Sequence, residues 1–139
     1  MGKNVDRRHL MHIGAVAERT ELSLRTLRYY DEIGLVTASE RTDGGFRLYS
    51  EDDVQRILLI RRMKPLDFTL EQMRELLQAT DELSRPGSPA DAEPTLAEFE
   101  TLAIERRAAL ERKVVMADEF LTRLRELSTR RRGSGHDSA

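Results

Sequence analysis

Apolar residues recur at helical spacing in short runs along the first half of the chain, and polar caps or glycines bound these runs. The first run covers residues 13–20. The second follows Ser23, a candidate N-cap, and stops at Gly34, the residue type that most often follows the end of a helix. Two helices joined by such a short turn predict a helix-turn-helix at about residues 13–32.

The pattern then changes to the period-two alternation of β-strands. Asp43-Gly44-Gly45 lies between two short segments that can pair, which is typical of a β-hairpin. Alternation along residues 46–49 predicts that Arg47 and Tyr49 share one face of this hairpin, while their neighbours share the other. A hairpin that follows a helix-turn-helix in this way is a wing, here at about residues 35–49.

Two more helices are expected after the hairpin. Ser50 and the three acidic residues behind it suit the positive N-terminal end of a helix, and Pro65 stops that helix. Thr69 and Gln72 then form a capping box ahead of another run with helical spacing. The predicted fold is mainly α: a winged helix-turn-helix domain of four helices and a short β-hairpin wing over residues 11–80, followed by a long helix.

The C-terminal half carries a longer repeat. Residues 84–94 are rich in proline and small residues, and we expect a linker there. From residue 95 to residue 132 the apolar positions repeat in steps of seven, which indicates a coiled-coil dimerisation helix paired with a second copy of the chain. The residues expected at the dimer contact are Leu96, Phe99, Ala103, Leu110, Val114, Ala117, Leu121 and Leu124. Residues 133–139 lose the repeat and are expected to form a disordered tail.

Charge and side-chain chemistry point to a nucleic-acid partner. The net charge is −2, but residues 1–65 carry 12 Lys/Arg against 10 Asp/Glu, whereas residues 66–139 carry 11 against 15. Because binding depends on the field at the contact surface, this average does not exclude DNA. Arginines, threonine and tyrosines gather in residues 23–49, and they supply the donors and flat rings that phosphates and base edges require. Duplex DNA is the expected partner.

Other classes of protein fit less well. The sequence contains no run of about 18 apolar residues that would span a membrane. Residues 1–10 form a polar, basic extension, expected to be flexible, without the apolar segment of a signal peptide, so the cytoplasm is the expected location. There is no cysteine, His9 and His12 have no further ligand nearby, and no catalytic set can be assembled. We expect no metal, no cofactor and no enzymatic activity.

Four segments at characteristic separations resemble the MerR family of bacterial transcription regulators. They lie at residues 13–20, 26–35, 45–50 and 68–77. Several motifs in the right order are more specific than any single one. The C-terminal heptads are similar to the antiparallel dimerisation helix of that family.

The resemblance implies a homodimer that binds a palindromic promoter element and distorts the promoter spacer, so that RNA polymerase can engage both of its recognition elements. The DNA contacts that it implies are Arg25, Thr26, Arg28 and Tyr29 on the recognition helix, and Arg41, Arg47 and Tyr49 on the wing.

The sequence also departs from the family pattern. Glu21 and Asp67 stand where glycine is frequent, so both are expected in left-handed backbone. The cysteines of the family's metal and redox sensors are absent, and we expect no large ligand-binding domain after the long helix. Two alternatives stay open. One is a sensor whose unknown small-molecule effector sits between the long helix and the DNA-binding domain, and the other is a coiled-coil interaction module whose winged domain does not bind DNA.

Overall fold

A computed structural model describes residues 9–87 and 92–136 of the chain. The elements in chain order are β1 (Met11–His12), α1 (Ile13–Thr20), α2 (Leu24–Glu32), β2 (Glu40–Arg41), β3 (Arg47–Tyr49), α3 (Glu51–Met63), a 3-10 turn (Lys64–Leu66), α4 (Leu70–Leu83) and α5 (Ala92–His136). They form two compact units, one up to Leu96 and one from Ala97. The predicted mainly α winged helix-turn-helix followed by a long helix is confirmed.

Three helices of the first unit begin at the side-chain caps that the sequence predicted. At α2, the Ser23 hydroxyl accepts a hydrogen bond of 3.0 Å from the Thr26 amide. Ser50 and Asp53 form a capping box at α3, and Thr69 heads another at α4. Each cap satisfies amide groups that the helix itself leaves without partners, and a cap of this kind stabilises a helix by about 1 kcal/mol.

Two turns adopt left-handed backbone without glycine, as expected. Glu21, between α1 and α2, has φ 56°, and Asp67, before α4, has φ 58°. This conformation costs an ordinary residue about 1–2 kcal/mol. At the first turn, Arg61 of α3 donates to the Glu21 carboxylate at 2.6 Å, which ties the turn to the domain.

The core of the first unit is formed by the inner faces of its helices together with β3. Its deeply buried apolar side chains include Val16, Leu27, Tyr30, Val36, Tyr49, Val54, Ile57, Ile60 and Leu77. Helix α1 packs against both α2 and α3. The Thr20 hydroxyl is buried at the end of α1 and donates to the Val16 carbonyl at 2.8 Å. The first helix therefore fixes the position of the second.

The wing belongs to a three-stranded antiparallel sheet in the order β1-β3-β2. Arg41 of β2 lies opposite Arg47 of β3, so the predicted hairpin is present. Strand β1 was not predicted, and it places Met11 opposite Tyr49. Because β1 leads directly into α1, this pairing attaches the wing to the start of the helix-turn-helix.

Helix α5 makes up most of the second unit and is longer than the sequence indicated. It has 45 residues, which corresponds to about 68 Å. It begins inside the predicted linker, at Ala92. Pro94 does not prevent this start, since it falls in the first helical turn, where its missing N–H is tolerated. The helix also includes residues 133–136, so the prediction of a disordered tail is wrong for these four residues. Residues 1–8, 88–91 and 137–139, where the rest of the predicted extension, linker and tail falls, lie outside the described residues. No helix in the described part of the chain has both the length and the apolar character needed to cross a bilayer.

Candidate nucleic-acid interface

One face of α2 carries exposed polar side chains in a continuous stripe. Arg25, Arg28, Tyr29 and Glu32 stand at positions i, i+3, i+4 and i+7, and Thr26 lines the same surface depression. Within the part of the chain that the structure describes, Arg25 and Arg28 make no side-chain hydrogen bond or ion pair. Their donors are therefore available to phosphates and base edges.

The opposite face of α2 and its two ends fix how this stripe is presented. Tyr30 is 2% exposed, so it is a core residue, and the Lys64 ammonium lies 5.7 Å from the centre of its ring. At the C-terminal end of α2, Arg74 donates to the carbonyls of Ile33 and Gly34. A cation at this end is favoured by the helix dipole. These contacts hold α2 in place before any ligand binds.

The two wing arginines are both bound to one carboxylate on α2. Arg47 Nε donates to Asp31 Oδ2 at 2.6 Å, and Arg41 Nη2 donates to the same oxygen at 2.9 Å. The amide of Ala38 donates to Asp31 Oδ1 at 3.0 Å. The exposed fractions of the side chains are 8% for Asp31, 18% for Arg47 and 51% for Arg41. Arg41 thus keeps donors for an outside partner, whereas Arg47 faces inward.

The environment of Asp31 favours its charged form. Burial raises the pKa of this carboxyl group, but the hydrogen bonds from Arg47 and from the Ala38 amide, together with the charges of Arg47 and Arg41, outweigh it. The pKa of Asp31 therefore lies below its ordinary value. The same hydrogen bond raises the pKa of Arg47.

We expect Asp31 to link stability to pH in the acid range. Because its pKa is lower in the folded chain than in the unfolded chain, its stabilising contribution is fully present above the ordinary value of 3.8 and is lost as the pH falls through the folded value. Asp31→Asn should therefore make the free energy of unfolding less dependent on pH between about pH 2 and 5. Denaturant unfolding followed by circular dichroism checks this. Equal pH slopes for the two proteins would contradict it.

Tyr49 lies in the core and not on the surface where the resemblance placed it. Its side chain is 0% exposed, and its hydroxyl has no hydrogen-bond partner among the described residues. Burial raises its pKa to about 12. The alternation along β3 correctly groups Tyr49 with Arg47, but this face turns inward toward Asp31. We therefore leave Tyr49 out of the interface.

Tyr49→Phe is expected to stabilise the fold without changing affinity for DNA. The change removes a buried hydroxyl that lacks a partner, and such a group costs about 1–3 kcal/mol. Chemical denaturation of the two proteins and titration of each with the same duplex check both parts. Weaker DNA binding by a fully folded Tyr49→Phe protein would contradict this expectation and show that the Tyr49 hydroxyl contributes to DNA binding.

The predicted dimer stripe on α5 is mostly open to solvent in the single chain. Leu96 and Ala103 are half-buried, and Phe99 is buried. The exposed members are Leu110, Val114, Ala117, Leu121 and Leu124. Phe120 and Leu127 extend the exposed apolar surface. Exposed apolar surfaces of this kind are typical of interaction sites, and the dimer contact stays a prediction.

Asp31 was not among the predicted site residues, although its position in α2 carries a signal. A carboxylate in the last turn of a helix is disfavoured by the helix dipole, so an aspartate there calls for a cationic partner. Two arginines on the following hairpin could supply it. Their distance along the chain hid the connection.

A helix-turn-helix whose second helix presents unpaired arginines, followed by a wing with a half-exposed arginine, defines a winged helix-turn-helix protein of the DNA-binding class. Comparison with known proteins narrows this class. The family described as MerR HTH family regulatory protein matches residues 11–80. Heavy metal-dependent transcription regulator 2 of Rhizobium meliloti (strain 1021) is 33% identical over 118 residues, covering 85% of this chain and 74% of that protein. The chain belongs to the MerR family.

Two further known proteins are similar to this chain, one in part of its sequence and one in its fold. Nodulation protein NolA of Bradyrhizobium elkanii is 43% identical over 83 residues, which cover 60% of this chain and 38% of NolA, so the chain spans well under half of that relative. The structure of HiNmlR, a MerR family regulator lacking the sensor domain and bound to promoter DNA, has a TM-score of 0.62 at 23% identity, covering 81% of this chain and 88% of that chain. At this identity the likeness concerns the fold.

Proposed function

We propose that the protein is a transcription regulator that binds a palindromic promoter element as a homodimer. The observation that carries the proposal is the stripe of available side chains on α2, with Arg25, Arg28 and Tyr29 at its centre. In each subunit this face enters a major groove, where arginine recognises guanine through two hydrogen bonds. The wing contacts the neighbouring phosphates through Arg41.

The apolar stripe on α5 supports the homodimer. Two copies that bury this stripe against each other in antiparallel orientation are related by a two-fold axis. Such a pair presents two α2 faces with the symmetry of a palindrome. One helix thereby determines both the oligomeric state and the form of the DNA site.

We further infer that the bound dimer distorts the promoter spacer, so that RNA polymerase engages both of its recognition elements. Bending of a short site costs about 1–6 kcal/mol, and protein–phosphate contacts have to supply that energy. HiNmlR, which shares this fold, is itself bound to promoter DNA in its crystal structure. This role places the protein with the chromosome, in the cytoplasm of a bacterium.

Selection from random duplexes with the purified protein tests the proposal. We expect enrichment of a palindrome whose half-sites are about one helical turn, or a multiple of it, apart. Affinity for that site should fall steeply with salt, because phosphate contacts release counterions. If no sequence is enriched and no duplex is bound even at low salt, the DNA-binding role fails. A protein-interaction module then becomes the better explanation of the winged domain.

The Rhizobium meliloti relative is named for heavy-metal dependence, and two observations on this chain bear on that property. The 139 residues contain no cysteine to act as a thiolate ligand. Among the residues that the structure describes, no group of three His, Asp or Glu side chains could hold a metal ion.

A further inference from the structure

The Asp31 carboxylate joins α2 to both strands of the wing. We propose that Asp31 is a positioning residue for DNA recognition. With Arg41 and Arg47 it forms a clamp that fixes the wing relative to α2. The clamp also keeps the two guanidinium groups from binding phosphates at any DNA sequence. Both effects raise the ratio of specific to non-specific affinity for DNA. This inference rests on the DNA-binding function proposed above.

The clamp connects α2 to the loop that follows it and to both strands of the wing. Ala38 lies in the loop after α2, Arg41 on β2 and Arg47 on β3, and all three donate to the same carboxylate. Among the described residues, no other ion pair connects α2 to the wing. Asp31 therefore adds an ion-paired link between the recognition helix and the wing to the strand pairing that already attaches the wing to the domain.

The two arginines have different roles in this clamp. Arg47 is mostly buried and donates through Nε, so it acts as a tether. Arg41 is half-exposed and is also held by the Gly45 carbonyl at 3.1 Å, so its remaining donors point from a fixed position. A donor fixed in advance loses less entropy when it binds a phosphate. The structure thus assigns the direct contact to Arg41 and the support to Arg47.

The clamp acts on specificity because the two modes of binding use the wing differently. Non-specific affinity follows the number of phosphates that cations neutralise, whatever the sequence. Specific affinity requires that the wing meet the backbone while α2 is seated on its own bases. Without Asp31, both arginines are released to phosphates in any register, and the wing loses its fixed angle. Specific binding then falls, whereas non-specific binding does not.

The test compares Asp31→Asn with the unchanged protein on the selected palindrome and on a scrambled duplex of the same length. We expect affinity for the palindrome to fall about tenfold, the size typical of coupled contacts, while affinity for the scrambled duplex stays equal or rises. A merely structural role lowers the folded fraction and weakens both affinities by the same factor. An unchanged ratio of the two affinities overturns the inference.

Asp43→Asn is the matched control. It makes the same chemical change at an exposed carboxylate in the turn of the wing, between β2 and β3. We expect it to leave the affinity ratio unchanged. If it lowers the ratio as much as Asp31→Asn does, charge alone explains the effect, and the clamp is rejected.

Arg47→Met tests the clamp from the other side and serves if Asp31→Asn does not fold. A tether predicts a lower affinity ratio with an unchanged dependence of affinity on salt. A direct phosphate contact instead predicts a preserved ratio and a shallower salt dependence, by about one counterion, and would overturn the assignment. If the unchanged protein binds no duplex at all, the proposed function fails together with this inference. If it binds and the ratios do not move, only the inference fails.

Discussion

Val114→Glu is expected to separate the proposed dimer into monomers and to abolish binding to the palindrome. Val114 is 60% exposed in the single chain and lies four residues after Leu110 and seven before Leu121, on the same helical stripe. A dimer along this stripe would bury two copies of the new carboxylate, each at a cost of about 3 kcal/mol or more. The dimer Kd should therefore rise more than about a hundredfold. Analytical ultracentrifugation at micromolar concentration measures the change.

Val115→Glu provides the control for this experiment. It introduces the same charge at the same residue type one position later, where the side chain is 54% exposed. At about 100° per residue, Val115 lies about 140° around the helix from Leu110, away from the stripe. We expect this variant to remain dimeric. A dimeric Val114→Glu protein, or a monomeric Val115→Glu protein, would show that the dimer contact lies elsewhere on α5.

Arg28→Ala should weaken binding to the palindrome by about 1–3 kcal/mol in each half-site. Arg28 lies in the middle of the exposed stripe on α2, and its guanidinium has no partner within the described residues. A base contact through two hydrogen bonds should also relax the preference at one position of each half-site. Fluorescence anisotropy with the palindrome and with single-base variants of it measures both effects.

Two further substitutions show what kind of contact Arg28 makes. Arg28→Lys keeps the positive charge but not the planar pair of donors, so a base contact predicts a loss close to that of alanine. A phosphate contact predicts a much smaller loss. Arg85→Ala removes an exposed arginine after α4, outside the proposed interface, and should leave affinity unchanged. Equal effects of Arg28→Ala and Arg85→Ala would mean that only net charge matters.

The local features of the fold could be predicted because their causes are local. Ser23, Ser50 and Thr69 each cap a helix through atoms three residues away, so a short stretch of sequence contains the whole interaction. Helix starts, the hairpin turn and the exposed face of α2 follow from such short patterns. The left-handed backbone at Glu21 and Asp67 followed from the resemblance to the family.

The features that could not be predicted depend on distant partners. Strand β1 has two residues, and its only signature is its pairing with β3, far along the chain. Alternation placed Arg47 and Tyr49 together but could not say which face meets the core, because the answer depends on Asp31 of α2. Only the structure therefore shows that Arg41 is accessible to a ligand, whereas Arg47 and Tyr49 are turned toward the core.

The exposed apolar stripe on α5 also bears on how promoter binding depends on the cellular concentration of the protein. While monomers predominate, the concentration of the proposed dimer grows with the square of the monomer concentration. Occupancy of the promoter bound by the proposed homodimer would therefore rise more steeply than in proportion to expression. The proposed homodimer would thereby set a threshold in the expression level of the protein.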